Sequence, residues 1–213
     1  MLLTFLGRDS GFGEKNNSAY YESNKKLTLI DCGYTVFNIA KSTFDFNKYD
    51  DIEIIITHLH NDHAGSLSQL ILYLWFIYHK KTTVISKCKH IKKYLDITGV
   101  PKSAYDLKKE NPNIHFIKTK HSPTIDSYGF ILTIDDKIIL YTGDTSTLEP
   151  FNKFYSKINE LYVDVSTTGD IHLKIDNILP ELKKLKSLNI DIYLMHMDNK
   201  EKIQEITNND FNT

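Results

Sequence analysis

Thr57-His58-Leu59-His60-Asn61-Asp62-His63 is the stretch that decides the reading of this chain. It holds three His and one Asp within six positions, straight after residues 52–57, a run rich in β-branched residues that reads as a buried strand. His58 and His60 lie two apart, so on an extended segment they project to the same side. Asp62 and His63 follow where the chain must turn, and adjacent residues in a turn point toward different positions. A lone His at a strand end is most often a satisfied structural residue. Four such side chains together would compete for too few partners unless a cation lay among them. Imidazole and carboxylate donors suit zinc and its first-row neighbours.

Outward from that stretch, residues 66–78 contain neither Gly nor Pro and read as a helix. Its apolar residues cover nearly every face, which suits a fully buried helix or one at an oligomer interface. Upstream, residues 1–6 and 26–30 read as short strands with a Gly-rich loop, 7–13, between them. Downstream, 82–86, 114–119, 129–134, 137–141, 161–165 and 190–195 read as strands, with Asp135-Asp136 as a hairpin turn. Residues 88–95 and 176–187 read as helices, with Pro180 placed in the first turn of the second. The polar tail, 199–213, is expected to fray. Strands and helices interleave, an α/β pattern, and no linker divides the chain, so one domain over 1–213 is expected.

The bulk numbers exclude several classes. The 213 residues are 41% hydrophobic and 25% charged, with a net charge of −1, so no global nucleic-acid signature exists. Eleven Lys against three acids in residues 80–120 would suit phosphate-bearing substrates. A Lys-rich composition with Arg8 as the only Arg gives the same pattern without function. Cys32 and Cys88 form no spaced pair and read as ordinary buried thiols. The longest apolar run, 70–78, is too short to span a bilayer, and residues 1–6 are too short for a signal peptide, so a cytoplasmic protein is expected.

His-x-His-x-Asp-His after a strand resembles the metallo-β-lactamase superfamily. That resemblance implies an α/β fold, the four-layer αβ/βα sandwich, and a dinuclear metal site with three later ligands. His121, Asp144 and His196 supply them, each just past an expected strand. By the resemblance, His58, His60 and His121 hold one metal, Asp62, His63 and His196 the other, and Asp144 bridges. Two divalent ions are expected, zinc first, with manganese or iron as alternatives.

Further elements resemble the ribonuclease Z-like phosphodiesterase branch. They are Leu3-Thr4-Phe5-Leu6-Gly7, the Gly-rich loop after it, Asp31-Cys32-Gly33, Ser127-Tyr128-Gly129-Phe130 and Tyr141-Thr142-Gly143-Asp144-Thr145. In that branch an acid and a downstream His assist the leaving group. Asp164 and His172 occupy those places and, with Asp62, make up the expected catalytic residues. The match departs from the branch in Arg8-Asp9, in Asp164 where Glu is usual, and in the short gap to His172. Only a hairpin fits between His121 and Asp144, leaving no arm to grip RNA, so a small phosphodiester such as a cyclic nucleotide is expected rather than structured RNA. A homodimer would suit the apolar helix, and no membrane partner is expected. The rival readings are a hydrolase of carbonyl substrates (lactone, thioester or β-lactam), an iron oxidoreductase, and a binding protein with a degenerate site.

Overall fold

The computed structural model describes every residue, Met1–Thr213. The chain divides into two compact units, one of Leu3–Gly7 and Glu14–Asn111, the other of Met1–Leu2, Arg8–Gly13 and Pro112–Thr213.

The N-terminal unit contains β1 (Thr4–Gly7), β2 (Ser18–Ser23), β3 (Lys26–Ile30), α1 (Val36–Thr43), β4 (Asp51–Ile55), α2 (Asn61–Ala64), α3 (Leu67–Tyr78), β5 (Thr82–Ile85), α4 (Ile91–Ile97) and β6 (Tyr105–Lys108). Its six strands lie side by side in chain order. β1, β2 and β3 pair antiparallel, then β3 to β6 run parallel. Strands β3 to β5 are almost wholly buried, which is why they read as apolar runs. Helix α3 buries Leu67, Leu70, Ile71 and Leu74, one helical stripe, while Phe76 and Ile77 are exposed. The helix is therefore one-faced at its end rather than buried all round. Cys32 and Cys88 are buried and in no disulfide, and burial pushes the Cys32 thiol up to about 12.

The C-terminal unit contains β7 (Ile114–Lys118), β8 (Tyr128–Ile134), β9 (Lys137–Tyr141), β10 (Glu160–Asp164), α5 (Ile175–Ser187), β11 (Asp191–Met195) and α6 (Lys200–Thr207). Its sheet has the order β11-β10-β9-β8-β7. Pairing is antiparallel from β7 through β9 and parallel from β9 through β11, so β7, β9, β10 and β11 all run the same way. Leu140, Leu161, Val163 and Leu194 from the sheet pack with Leu182 and Leu185 of α5 and Ile203 of α6 to form the core of this unit. Asp135 and Asp136 both take positive φ, the turn that a two-residue hairpin requires.

Two expectations need correction here. Helix α5 begins at Ile175, so Pro180 lies inside it rather than in its first turn, and the helix forgoes one backbone bond there. The tail does not fray. Asn199 caps α6 by accepting from the Lys202 N–H at 2.9 Å, Phe211 is buried, and Asn212 pairs with the outer edge of β11. The signal was there in Ile203 and Thr207, four apart behind an Asn cap.

Candidate active site

In the N-terminal unit, parallel pairing brings the C-terminal ends of β3 and β4 together, and both ends carry polar side chains. Asp31 follows β3 in a left-handed conformation with its N–H bonded to the Ile55 carbonyl. Its fully buried carboxylate accepts from the Thr57 N–H at 2.8 Å, from the Thr57 hydroxyl, and from His63 Nδ1 at 2.8 Å. Because the Thr57 proton goes to Asp31, the Thr57 oxygen is left to accept from His58 Nδ1, 3.1 Å away. His58 and His63 therefore both carry their proton on Nδ1, which leaves each Nε2 with a lone pair. His58 Nε2 faces His60 Nδ1 at 3.0 Å, and His63 Nε2 faces Asp62 at 3.2 Å. Burial pushes the Asp31 carboxyl up, and His63 and Thr57 offset only part of that.

The turn carrying these residues is fastened to the segment after β3. Cys32 N–H bonds the His63 carbonyl at 2.7 Å, Tyr34 N–H bonds Asn61, and Ser66 N–H bonds Cys32. A Cβ at Gly33 would fall 1.9 Å from the Asp62 carbonyl oxygen, so this crossing demands a glycine.

In the C-terminal unit, the four co-directional strands β7, β9, β10 and β11 lead into His121, Asp144, Asp164 and His196 respectively. His196 takes a left-handed conformation directly after β11. The Asp144 Oδ2 atom lies 3.6 Å from His121 Nε2, 3.4 Å from His196 Nε2 and 3.9 Å from His172 Nδ1. His121 Nδ1 donates to the Ile171 carbonyl at 3.0 Å, again leaving Nε2 with a lone pair. His172 Nδ1 bonds Asp164 Oδ2 at 2.9 Å, and its ring stacks on His196 at 4.8 Å. Burial alone would lower the His172 pKa, but Asp164 and then Asp144 outweigh it and raise it. Asp164 also accepts from the Thr145 N–H at 3.0 Å, so it is held on two sides.

The donor set fits divalent cations. Two donors on one tetrahedral zinc, each at 2.0–2.1 Å, lie about 3.3 Å apart. The separations of His121 and His196 from Asp144, and of His63 from Asp62, fall close to that, and the first two are longer than good hydrogen bonds of these groups. Each of His58, His63 and His121 gives its other nitrogen to an oxygen, the outer support usual for metal-ligating imidazole. Asp144, Asp164, His172 and His196 also stand together, their ligand atoms within 4.8 Å of one another.

Within each unit the structure thus gathers the residues singled out from the sequence: His58, His60, Asp62 and His63 in one, His121, Asp144, Asp164, His172 and His196 in the other. Sequence reasoning gave no role to Asp31, Thr57 or the Ile171 carbonyl. Asp31 had a signal in the Asp-Cys-Gly element, whereas a backbone carbonyl has none. Asp198 was missed too. Its carboxylate accepts from Thr167 N–H at 2.9 Å, Thr167 Oγ1 at 2.8 Å and Ser166 Oγ at 3.0 Å, fixing the loop that leads to His172. Those bonds hold its carboxyl below the ordinary value against the upward push of burial.

Two helix-flanked sheets of this order, with His and Asp side chains at their strand ends, make this a protein of the metallo-β-lactamase fold. The YhfI protein of Bacillus subtilis, a metallo-β-lactamase fold protein, is similar with a TM-score of 0.79 at 19% identity, covering 98% of this chain and 92% of that one. Human tRNase Z, short form, is similar with a TM-score of 0.72 at 14% identity, covering 93% of each chain. Zinc-bound PqqB from Methylobacterium extorquens gives 0.71 at 9% identity, covering 100% of this chain and 97% of that one. Within that class, the chain belongs to the anti-Pycsar protein Apyc1 family, whose sequence model matches residues 1–93 and 85–212. Anti-Pycsar protein Apyc1 of Bacillus phage 010DV004 is 28% identical over 238 aligned residues, covering 94% of this chain and 91% of its own. The one from Paenibacillus sp. (strain J14) is also 28% identical, covering 97% and 94%. No helix is long and apolar enough to cross a membrane.

Proposed function

We propose that this chain is a dinuclear metal-dependent phosphodiesterase acting on a small phosphodiester, with a cyclic nucleotide as the substrate class. The observation that carries the reading is the Asp164–His172 pair, 2.9 Å apart and clustered with Asp144 and His196. A ribose alkoxide is a very poor leaving group, and an oriented imidazole is the group that can protonate it.

The ligand assignment follows the superfamily resemblance: His58, His60 and His121 for one ion, Asp62, His63 and His196 for the other, Asp144 for both. Zinc suits these donors best, with manganese or iron as alternatives. Bound there, two such ions supply Lewis acidity that lowers the pKa of water and offsets charge on the phosphoryl oxygens. The chain's own residues do the rest. Asp31, Thr57 and the Ile171 carbonyl hold the imidazole tautomers. Asp164 aligns His172, whose proton goes to the departing ribose oxygen as one phosphorus–oxygen bond breaks and the new one to water's oxygen forms.

Between His121 and Asp144 stand a short loop and the β8–β9 hairpin, which leaves little to grip folded RNA. Protein of measured metal content should open a cyclic nucleotide far faster than it cuts a pre-tRNA trailer, a lactone or a thioester. Efficient trailer cleavage would overturn the substrate class. Lactone or thioester turnover with no phosphodiester turnover would instead support the carbonyl reading of the same donors.

A further inference from the structure

Phe12 is an unexplained feature of the C-terminal unit. Its side chain is fully exposed, the most exposed large apolar residue in the chain. It occupies the tip of a turn closed by the Gly13 N–H bonding the Ser10 carbonyl at 3.0 Å. The turn is built to be tight, because a Cβ at Gly13 would fall 2.1 Å from the Cβ of Asp9. Its base is fastened beside a candidate metal ligand. Ser10 N–H bonds the Met197 carbonyl at 3.0 Å, and Met197 N–H bonds the Arg8 carbonyl at 2.8 Å, one residue past His196. Phe12 stands two Cα steps beyond Ser10, about 7.6 Å of chain at most, and Ser10 is itself bonded to the residue that follows His196.

An apolar ring in water at a loop tip adds nothing to the fold. The glycine-closed turn and its anchor to Met197 nevertheless hold it in place. A cyclic nucleotide with its phosphate at the metal donors must put its base somewhere outside them. Every nucleobase presents a π-face, and aromatic side chains stack on such faces with little regard to sequence.

We propose that Phe12 is a nucleobase-stacking residue, a substrate-binding element for the base of the nucleotide rather than its phosphate. This rests on the phosphodiesterase reading above. Base stacking on one aromatic residue corresponds to roughly a tenfold or greater change in affinity. Phe12→Leu keeps an apolar side chain without a ring and should raise KM for a cyclic nucleotide by that factor with little change in kcat. Phe12→Tyr should restore it.

The direct test is binding to metal-loaded Phe12→Trp protein, read by fluorescence against the wild type, whose only Trp is Trp75. Uridine and adenosine monophosphate should quench the added Trp saturably, and ribose 5-phosphate should not. Quenching by nucleotides in a protein that opens no cyclic nucleotide would uphold stacking while removing the proposed reaction. Turnover without quenching, or equal quenching by ribose 5-phosphate, would overturn the stacking role and leave the reaction standing. A KM unchanged in Phe12→Leu would overturn it as well.

Discussion

Asp31 has no place among the proposed ligands, yet three donors to one carboxylate make it the support of the His58–His63 cluster. Asp31→Ala removes the acceptor that fixes His63 and leaves the Thr57 N–H without its partner. Outer supports of this kind typically account for about 10–100-fold in metal affinity. A loss of that order is expected in a chelator-competition titration of the variant, with Asp31→Asn losing less. Unchanged affinity in folded Asp31→Ala protein would remove the role. His172 is the riskier assignment. His172→Ala should slow a cyclic nucleotide by roughly 10²–10⁴-fold, while a p-nitrophenyl phosphodiester, whose leaving group needs no proton, should be nearly unaffected. Metal content should stay near that of the unaltered protein. Equal slowing of both substrates would point to positioning instead. At this scale the sequence was legible wherever chemistry and position coincide: the His and Asp residues at strand ends. Supports that act through a backbone carbonyl or a distant carboxylate, such as Ile171 and Asp198, follow only from the fold that brings them in.

The strands and helices read from apolar spacing were legible where both faces are buried, as in β3, β5 and β11. The spacing reading misses β2 and β6 for opposite reasons. β2 carries Ser18, Tyr20, Tyr21 and Glu22, whose extended form is imposed by pairing between β1 and β3. β6 is a four-residue edge strand with alternating charge, as edge strands usually are. Pro180 inside α5 was likewise an outcome of packing, which overrode local preference, whereas the docked tail carried its signal in the Asn199 cap and in Ile203 and Thr207. The crossing of the Gly33 segment over α2 gives a prediction for these elements. Gly33→Ala would force the backbone of Asp62 away, so the variant should show a lower Tm and bind less metal than wild type. A variant with an unchanged Tm and full metal content would mean that the crossing is looser than the 1.9 Å approach indicates.

The whole molecule was the most legible level, because one six-residue cluster of ligand-type side chains after a buried strand restricts the fold far more than composition does. The metallo-β-lactamase class followed from it and the α/β pattern from the interleaved strands and helices, while the division into two units followed from neither, since no linker marks it. Metal that binds only the folded chain stabilises it, so chelation should lower Tm as well as abolish activity. A requirement for two ions per chain in phosphodiester hydrolysis underlies the proposed function. Its most direct test adds zinc or manganese stepwise to chelated protein while elemental content and the rate of cyclic-nucleotide opening are measured on the same samples. The rate should be absent without metal and reach its plateau at two ions per chain. A plateau at one ion, or turnover by the metal-free protein, would contradict it.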